Sequence, residues 1–307
     1  MALQLVVGTF TKSLLIYVAR GLGRFAEAGL EVEEVSVVSS PAQFKSLAAG
    51  ELDVAITNPD NVIAYRYLTD NPLQRNLNVK ILGALDRGSG VSLYSSPKYQ
   101  SLDQVPNLTF AVDVPQSGFA FVGYGLLDKL GFKPGDYAIK VMGSTPRRAS
   151  ALIAGFCDAT ILNAGNEIGA IAEGCTRLAS VTDLGPYIGT VIAAIPASSG
   201  GYKDGVLEFT AILLELVREI QNGEFRSEVL DAAVQLLRLT PSQAAEHYDV
   251  LMDPENGLIY DGKIDRGSIR TLIMLREKFL PTDELNSIMD SLDELVVHKD
   301  LLVGTAI

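Results

Sequence analysis

LAAGELDVAITNPDNVIA, residues 47–64, returns at residues 152–169 as LIAGFCDATILNAGNEIG. Aligned without a gap at an offset of 105, the copies share Leu47/Leu152, Ala49/Ala154, Gly50/Gly155, Asp53/Asp158, Ile56/Ile161, Asn58/Asn163, Asn61/Asn166 and Ile63/Ile168. Glycine, aspartate and both asparagines match along with the aliphatic residues, so shared apolar composition does not account for the similarity. A repeat of this kind marks a duplicated structural unit. Each copy reads as a helix end, a glycine stop, an acidic turn residue, a short apolar strand and a polar Asn-x-x-Asn loop opening the next helix.

Working outward, residues 3–7 form an aliphatic run closed by Gly8, residues 9–13 a loop, and residues 14–28 an amphipathic helix stopped by Gly29. A strand over 30–38 leads to Ser39-Ser40-Pro41, a cap followed by a first-turn proline. After Asn61 a helix runs toward Asp70, and a strand follows over 79–85. The order then recurs as strand 108–112, loop 113–119, helix 120–130 ended by Gly131, strand 137–142, cap and Pro146, and helix 147–154. Pro146 stands 105 residues after Pro41. Two β-α-β-α-β units imply parallel sheets with right-handed crossovers. A returning strand over 190–195 precedes helices over 206–221, 224–239, 242–252, 266–279 and 284–295.

The expected fold is α/β and two-lobed, each lobe a mainly parallel sheet flanked by helices, with a ligand cleft between the lobes. Residues 1–88 and 190–307 are expected to form the first lobe, including the C-terminal helices, and 89–189 the second, with crossings near 86–92 and 187–192. A chain of 307 residues, 48% hydrophobic and 20% charged, suits two such units of about 150 residues.

A net charge of −12 opposes binding to nucleic acid or an anionic membrane through the overall field. Cys157 and Cys175 form no CxxC, and His247 and His298 are far apart, so neither a metal nor a cofactor is indicated. Free buried thiols are expected. No run of roughly 18 apolar residues suggests a membrane span. The chain as it stands shows no export signal, which reads as cytoplasmic, or as periplasmic or extracytoplasmic if a signal peptide has been removed.

In open parallel sheets, ligands bind beyond the carboxyl ends of the strands, where helix N-termini converge. This selects Thr9, Phe10, Thr11, Lys12, Ser39, Asn58, Asp60 and Asn61 in the first unit, and Gln116, Ser117, Gly118, Phe119, Ser144, Arg147, Asn163 and Asn166 in the second. Residues 116–119 offer backbone N–H donors and a hydroxyl to an anion, and Lys12 a compensating charge. Arg147 and Arg148 open a helix, where a cation opposes the macrodipole, so one of them is expected to face a ligand or a carboxylate. Phe10, Phe119, Phe121 and Tyr187 are candidate walls for a ring. Asp60 and Asp86 are candidate acceptors or acid/base groups.

The stretches GTFTKSLLIYVARGLGRFAEAGLEVE (8–33), SLAAGELDVAITNPDN (46–61), LTFAVDVPQSGFAFVGYGLLDKLGF (108–132) and LIAGFCDATILN (152–163) resemble the type II periplasmic binding proteins of ABC transporters. They look most like the branch that binds aliphatic sulfonates, taurine and thiamine pyrimidine precursors. The resemblance implies two α/β lobes joined by two crossings, hinge closure over a small ligand, and hand-off to an ABC permease. The expected ligand is a small organic anion or zwitterion, aromatic or heterocyclic, and the expected state a monomer.

The same fold is similar to that of cytoplasmic enzymes, so a lyase, decarboxylase or hydrolase acting on a small aromatic or heterocyclic acid is the alternative. Those enzymes include an aromatic sulfinate desulfinase, aromatic-acid decarboxylases and the fungal pyrimidine synthase; the desulfinase type uses a cysteine in the first loops, where this chain has none. The pyrimidine synthase type needs a cleft histidine and a cysteine-rich segment, whereas His247 and His298 fall in the late helices. With no activated nucleophile visible, the reading leans to non-catalytic binding.

Overall fold

Strands of four to seven residues are too short to be stable alone, and in the computed structural model they assemble into two five-stranded sheets. The structure describes residues 2–103 and 105–303; residues 1, 104 and 304–307, included in the expected lobe limits, lie outside it. The chain begins with β1 (Leu3–Thr9), α1 (Leu14–Gly21), α2 (Arg24–Glu27), β2 (Leu30–Ser36), α3 (Ser40–Ala49), β3 (Val54–Thr57), α4 (Pro59–Tyr67) and β4 (Lys80–Asp86). It crosses to β5 (Ser92–Ser95), β6 (Thr109–Val112), α5 (Gly118–Lys129), β7 (Ala138–Val141), α6 (Thr145–Ile153), β8 (Ala159–Leu162), α7 (Asn166–Ala172) and β9 (Thr176–Ser180). It returns as β10 (Thr190–Ala194) and continues with α8 (Val206–Gln221), α9 (Arg226–Leu237), α10 (Pro241–Met252) and α11 (Arg266–Phe279).

The sheets have equivalent orders, β2-β1-β3-β10-β4 and β7-β6-β8-β5-β9. In each, the first three strands are parallel and the fourth, the one that follows a crossing, runs antiparallel to both its neighbours. The mainly parallel expectation therefore becomes a mixed sheet, two-lobed and flanked by helices. β5 and β9 have no counterpart in the sequence reading, because their partners lie far away in the chain and their runs are too short to show a period.

The duplicated Gly-x-x-Asp has one structural role in both sheets. Gly50 and Gly155 take left-handed backbones, at φ +74° and +71°, that end α3 and the turn after α6. Asp53 Oδ2 then accepts from the Val6 N–H at 2.8 Å, and Asp158 Oδ2 from the Thr109 N–H at 2.8 Å. A backbone donor that the neighbouring strand leaves unpaired is satisfied in each case.

Three expected helices differ. The span 14–28 is interrupted at Gly23, whose φ of +77° is incompatible with a continuous helix. Helix α4 starts at Pro59, two residues before Asn61, because the Asn58 side chain caps it. The last helix, expected over 284–295, is a series of 3-10 turns ending in one helical turn, Leu292–Leu295.

The C-terminal helices are not confined to the first sheet. α9 packs on α1, α10 packs on α9 and reaches α7, and α11 packs on α4 and α5. Ile168, Ala233, Leu239 and Ala244 form a separate apolar cluster that joins α7 to α9 and α10. No helix among the described residues is long and apolar enough to cross a membrane.

Candidate functional site

The carboxyl ends of β1, β3 and β4 face those of β6 and β8, with the two crossings between them. Gly88 and Gly189 are where the crossings touch. A Cβ on Gly189 would lie 2.2 Å from the Gly88 Cα, so only glycine permits this approach. The Gly189 N–H donates to the Asp86 carbonyl at 2.9 Å, and the Gly88 N–H to Asp86 Oδ1 at 2.7 Å.

Between the strand ends lies a cavity of about 130 Å³. Its upper edge is the loop from Thr9 to Ser13, which is pinned by Glu34 of β2. Glu34 Oε1 accepts from Thr9 Oγ1 at 2.8 Å and from the Ser13 N–H at 2.7 Å, while Lys12 Nζ donates to the Glu34 carbonyl at 2.7 Å. Ser13 caps α1, so the first turn of that helix points into the cavity mouth beside Lys12. The floor is polar, formed by Thr57, Asn58, Asp86, Ser89 and Thr190. The second sheet contributes Phe119, Thr145, Asn163 and Ala164. Ala164 holds a left-handed φ of +55° and donates its N–H to the Ser89 carbonyl at 3.0 Å, which folds the end of β8 against the first crossing. Leu237, His247 and Leu251 of α9 and α10 complete the wall.

Thr9, Phe10, Thr11, Lys12, Asn58, Phe119 and Asn163 are brought together at this cavity. Ser144, Arg147 and Asn166 line an adjoining, wider depression of about 580 Å³, which Phe10, Thr11 and Lys12 also border. Asn61 and Gln116 border a void of about 10 Å³ beside Arg276. Ser39, Asp60, Ser117, Gly118 and Tyr187 line none of these spaces.

The polar side chains of four of those five are taken by the protein, and Gly118 is packed against two neighbours. Ser39 caps α3 and Ser117 caps α5 while donating to Asp113. The Asp60 carboxylate is held by Arg276, from Nε at 2.8 Å and Nη2 at 2.6 Å. Gly118 sits against Asn58 and Asp60, where a Cβ would be 2.4 Å from Asn58 Oδ1. Tyr187 Oη accepts from Asn58 Nδ2 at 2.7 Å, and burial raises its phenol well above the ordinary range. Of the two arginines opening α6, Arg148 is buried and bound to the Gly143 and Ile161 carbonyls and to Thr145 and Thr160, which leaves Arg147 facing the depression.

His247 was not legible as a cleft residue. It lies on the buried stripe of α10 with Ala244, Tyr248 and Leu251, and the packing of α10 against α7 carries it to the cavity. A polar residue within an apolar helical stripe was the available signal. Its Nδ1 is buried without a partner, and burial lowers the imidazole to about 4, so it is neutral at pH 7. Burial raises Asp86 to about 6, against the lowering effect of the Thr190 hydroxyl, the Gly88 N–H and the Ser89 hydroxyl. Glu167, behind Gly165, is raised by burial to about 8 and is mainly protonated at pH 7.

Cys157 and Cys175 are free and buried, their thiols raised by burial to about 12 and about 11, far from thiolate reactivity at neutral pH. Among the described residues no group of three His, Cys, Asp or Glu is placed to hold a metal ion.

No family model matches the chain, and no curated protein matches it in sequence. Solved structures do match. The alkanesulfonate-binding protein of Xanthomonas axonopodis pv. citri, bound to MOPS, superposes with a TM-score of 0.69 at 13% identity, covering 98% of each chain. A conserved Candida albicans gene product, described as exhibiting the generic periplasmic binding protein fold, superposes with a TM-score of 0.70 at 14% identity, covering 99% of each chain. The periplasmic nitrate-binding protein of Synechocystis PCC 6803 gives 0.68 at 14% identity, covering 98% of this chain and 86% of that one. Likeness over whole chains, with equivalent strand orders in two sheets, identifies the architecture as the two-lobed periplasmic-binding-protein fold.

Proposed function

We propose that this chain is a solute-binding protein of the ABC-uptake kind, which closes on a small organic anion or zwitterion and delivers it to a permease. The observation that carries the reading is the cavity itself: loops from both sheets line one cleft, with apolar walls and a few polar groups, at the junction of two glycine-bearing crossings. Residues 1–88 and 190–307 would move as one lobe and 89–189 as the other, with the crossings as the hinge. Alkanesulfonate and nitrate, named for two similar structures, are small anions, which supports a small ligand.

Phe10 from the first lobe and Phe119 from the second border the same space, which favours a ring or short apolar stem between them. The first turn of α1 offers backbone donors to an acid group, while Lys12 and the Ser13 N–H are held by Glu34. In this role the protein works outside the cytoplasm, as a monomer and without a cofactor.

The reading is tested by a thermal-shift screen of sulfonates, carboxylates, amino acids and heterocycles, followed by calorimetry on each hit. A hit recovered unchanged after long incubation is the expected result. Chemical conversion of the compound would overturn the non-catalytic reading.

A further inference from the structure

The cavity floor holds a carboxylate that no protein cation answers. Asp86 is 8% exposed and lines the cavity, and among the described residues it takes part in no ion pair. Arg87, next to it, pairs with Asp265 at 3.4 Å, and Lys12, the cation among the lining residues, is tied to Glu34. Asp86 receives the Gly88 N–H at 2.7 Å, and the nearby Thr190 and Ser89 hydroxyls also favour its charged form. With a carboxyl value of about 6, Asp86 carries most of a full charge at pH 7 in a desolvated place. A buried charge of this sort is costly unless something of opposite sign or strong donor character meets it.

Helix α10 brings a second group to the same cavity. His247 is 2% exposed and lines the same cavity; its Nδ1 is sealed against Gly165, and no hydrogen bond to Nε2 is found among the described residues, so Nε2 is the nitrogen a ligand would meet. A neutral imidazole offers an acceptor nitrogen to a ligand N–H.

We infer that Asp86 and His247 form a subsite for a protonated amine or an N–H-rich edge of the ligand, so the molecule bound is zwitterionic, with its acid group toward the first turn of α1. This deepens the solute-binding reading and rests on it. It separates the chain from a receptor for simple anions, since an anion without a donor would leave both groups unmatched and place its charge in the same cavity as Asp86.

The test uses matched probes that differ in the amine alone: 2-aminoethanesulfonate against 2-hydroxyethanesulfonate, and 4-(aminomethyl)benzoate against 4-methylbenzoate, within a wider panel of acids, amines and zwitterions. The readout is the ratio of affinities within each pair, by calorimetry at pH 7.5. In the unaltered protein the amine-bearing member of at least one pair should bind about tenfold or more tightly. Asp86→Asn should collapse that ratio while the amine-free member still binds, which also reports that the variant is folded. Because Asp86 receives the Gly88 N–H, His247→Leu is the second variant; it leaves the crossing untouched and should reduce the ratio about threefold or more. Equal affinity within both pairs, or a ratio unchanged in both variants, overturns the amine subsite and leaves the solute-binding reading standing. Failure of every compound in the wider panel to bind overturns both.

Discussion

Asn58 and Asn163, equivalent residues of the two sequence copies, each reach across to a glycine of a crossing. Asn58 Nδ2 donates to the Gly189 carbonyl at 3.1 Å and Asn163 Nδ2 to the Gly88 carbonyl at 3.3 Å. Each asparagine thus holds one crossing from the end of its own sheet's third strand. Their partners in the Asn-x-x-Asn motif stay local: Asn61 Nδ2 donates to Thr57 Oγ1 at 3.1 Å and Asn166 Nδ2 to the Asn163 carbonyl at 2.9 Å.

The two asparagines are not equal in load. Asn58 also caps α4 through Oδ1, accepting from the Asp60 N–H at 2.9 Å, and donates to Tyr187 Oη. Asn58→Ala should therefore lower unfolding free energy by about 2 kcal/mol, and Asn163→Ala by about 1 kcal/mol. Urea denaturation of both variants checks this, and equal losses would contradict the assigned roles.

Gly189→Ala places a methyl carbon 2.2 Å from the Gly88 Cα and 2.4 Å from its nitrogen, both backbone atoms that no side-chain rotation can clear. The crossings must then separate, at a cost of about 2 kcal/mol or more. Ligand affinity should fall with stability, because the same displacement shifts Asp86 on the cavity floor. Gly21→Ala, at the end of α1 where a Cβ meets nothing within 4 Å, is the control; it should leave affinity unchanged and not lower stability. A Gly189→Ala protein of ordinary stability would contradict the close approach.

How much of this was written in the sequence depends on whether a feature is local. The glycine stops, caps and repeated aspartates fix backbone within a few residues of themselves, and they located both parallel units. The loop from Thr9 to Lys12, Phe119 and both first asparagines reach the cavity because strand ends have nowhere else to lead. Asp60 was legible as a polar residue at such an end, but its fate is decided by Arg276, 216 residues later. His247 was lost for the same reason, since the C-terminal helices have no second copy and their placement follows from packing against α1, α5 and α7. β5 and β9 escaped because their runs are short and interrupted by polar residues, whereas β10, inserted antiparallel in the same way, shows an unbroken apolar run over 191–195.

Arg276 also gives a stability prediction. It grips both Asp60 oxygens, donates to the Gln116 carbonyl at 3.3 Å and lies 4.7 Å from the centre of the Phe121 ring, so α11 is tied to α4 and α5 together. Arg276→Met leaves Asp60 charged, buried and unpaired, which should cost about 3–5 kcal/mol. Adding Asp60→Leu to that variant removes the stranded charge and should recover a large part of the loss. Chemical denaturation of the single and double variants decides it; a double variant weaker than the single would show that the pair's worth lies elsewhere.

Glu167 predicts how stability varies with pH. Burial raises its folded value to about 8 from 4.5, with Oε1 accepting from the Gly165 N–H at 3.2 Å and Oε2 unpartnered. Between those values the native chain keeps a proton that the unfolded chain has released. Its contribution is therefore complete below pH 4.5 and lost as pH rises through 8. His247 acts in the opposite sense, contributing above 6.5 and losing that contribution as pH falls toward 4, and Asp86 has completed most of its change by about pH 6. The interval from pH 6.5 to 8 thus belongs mainly to Glu167, and unfolding free energy should drop by about 2 kcal/mol across it. Glu167→Gln keeps the shape without the titration and should flatten that slope. Urea unfolding at closely spaced pH values measures both proteins, and an identical slope in the two would mean that the carboxyl of Glu167 is already ionised in the folded chain.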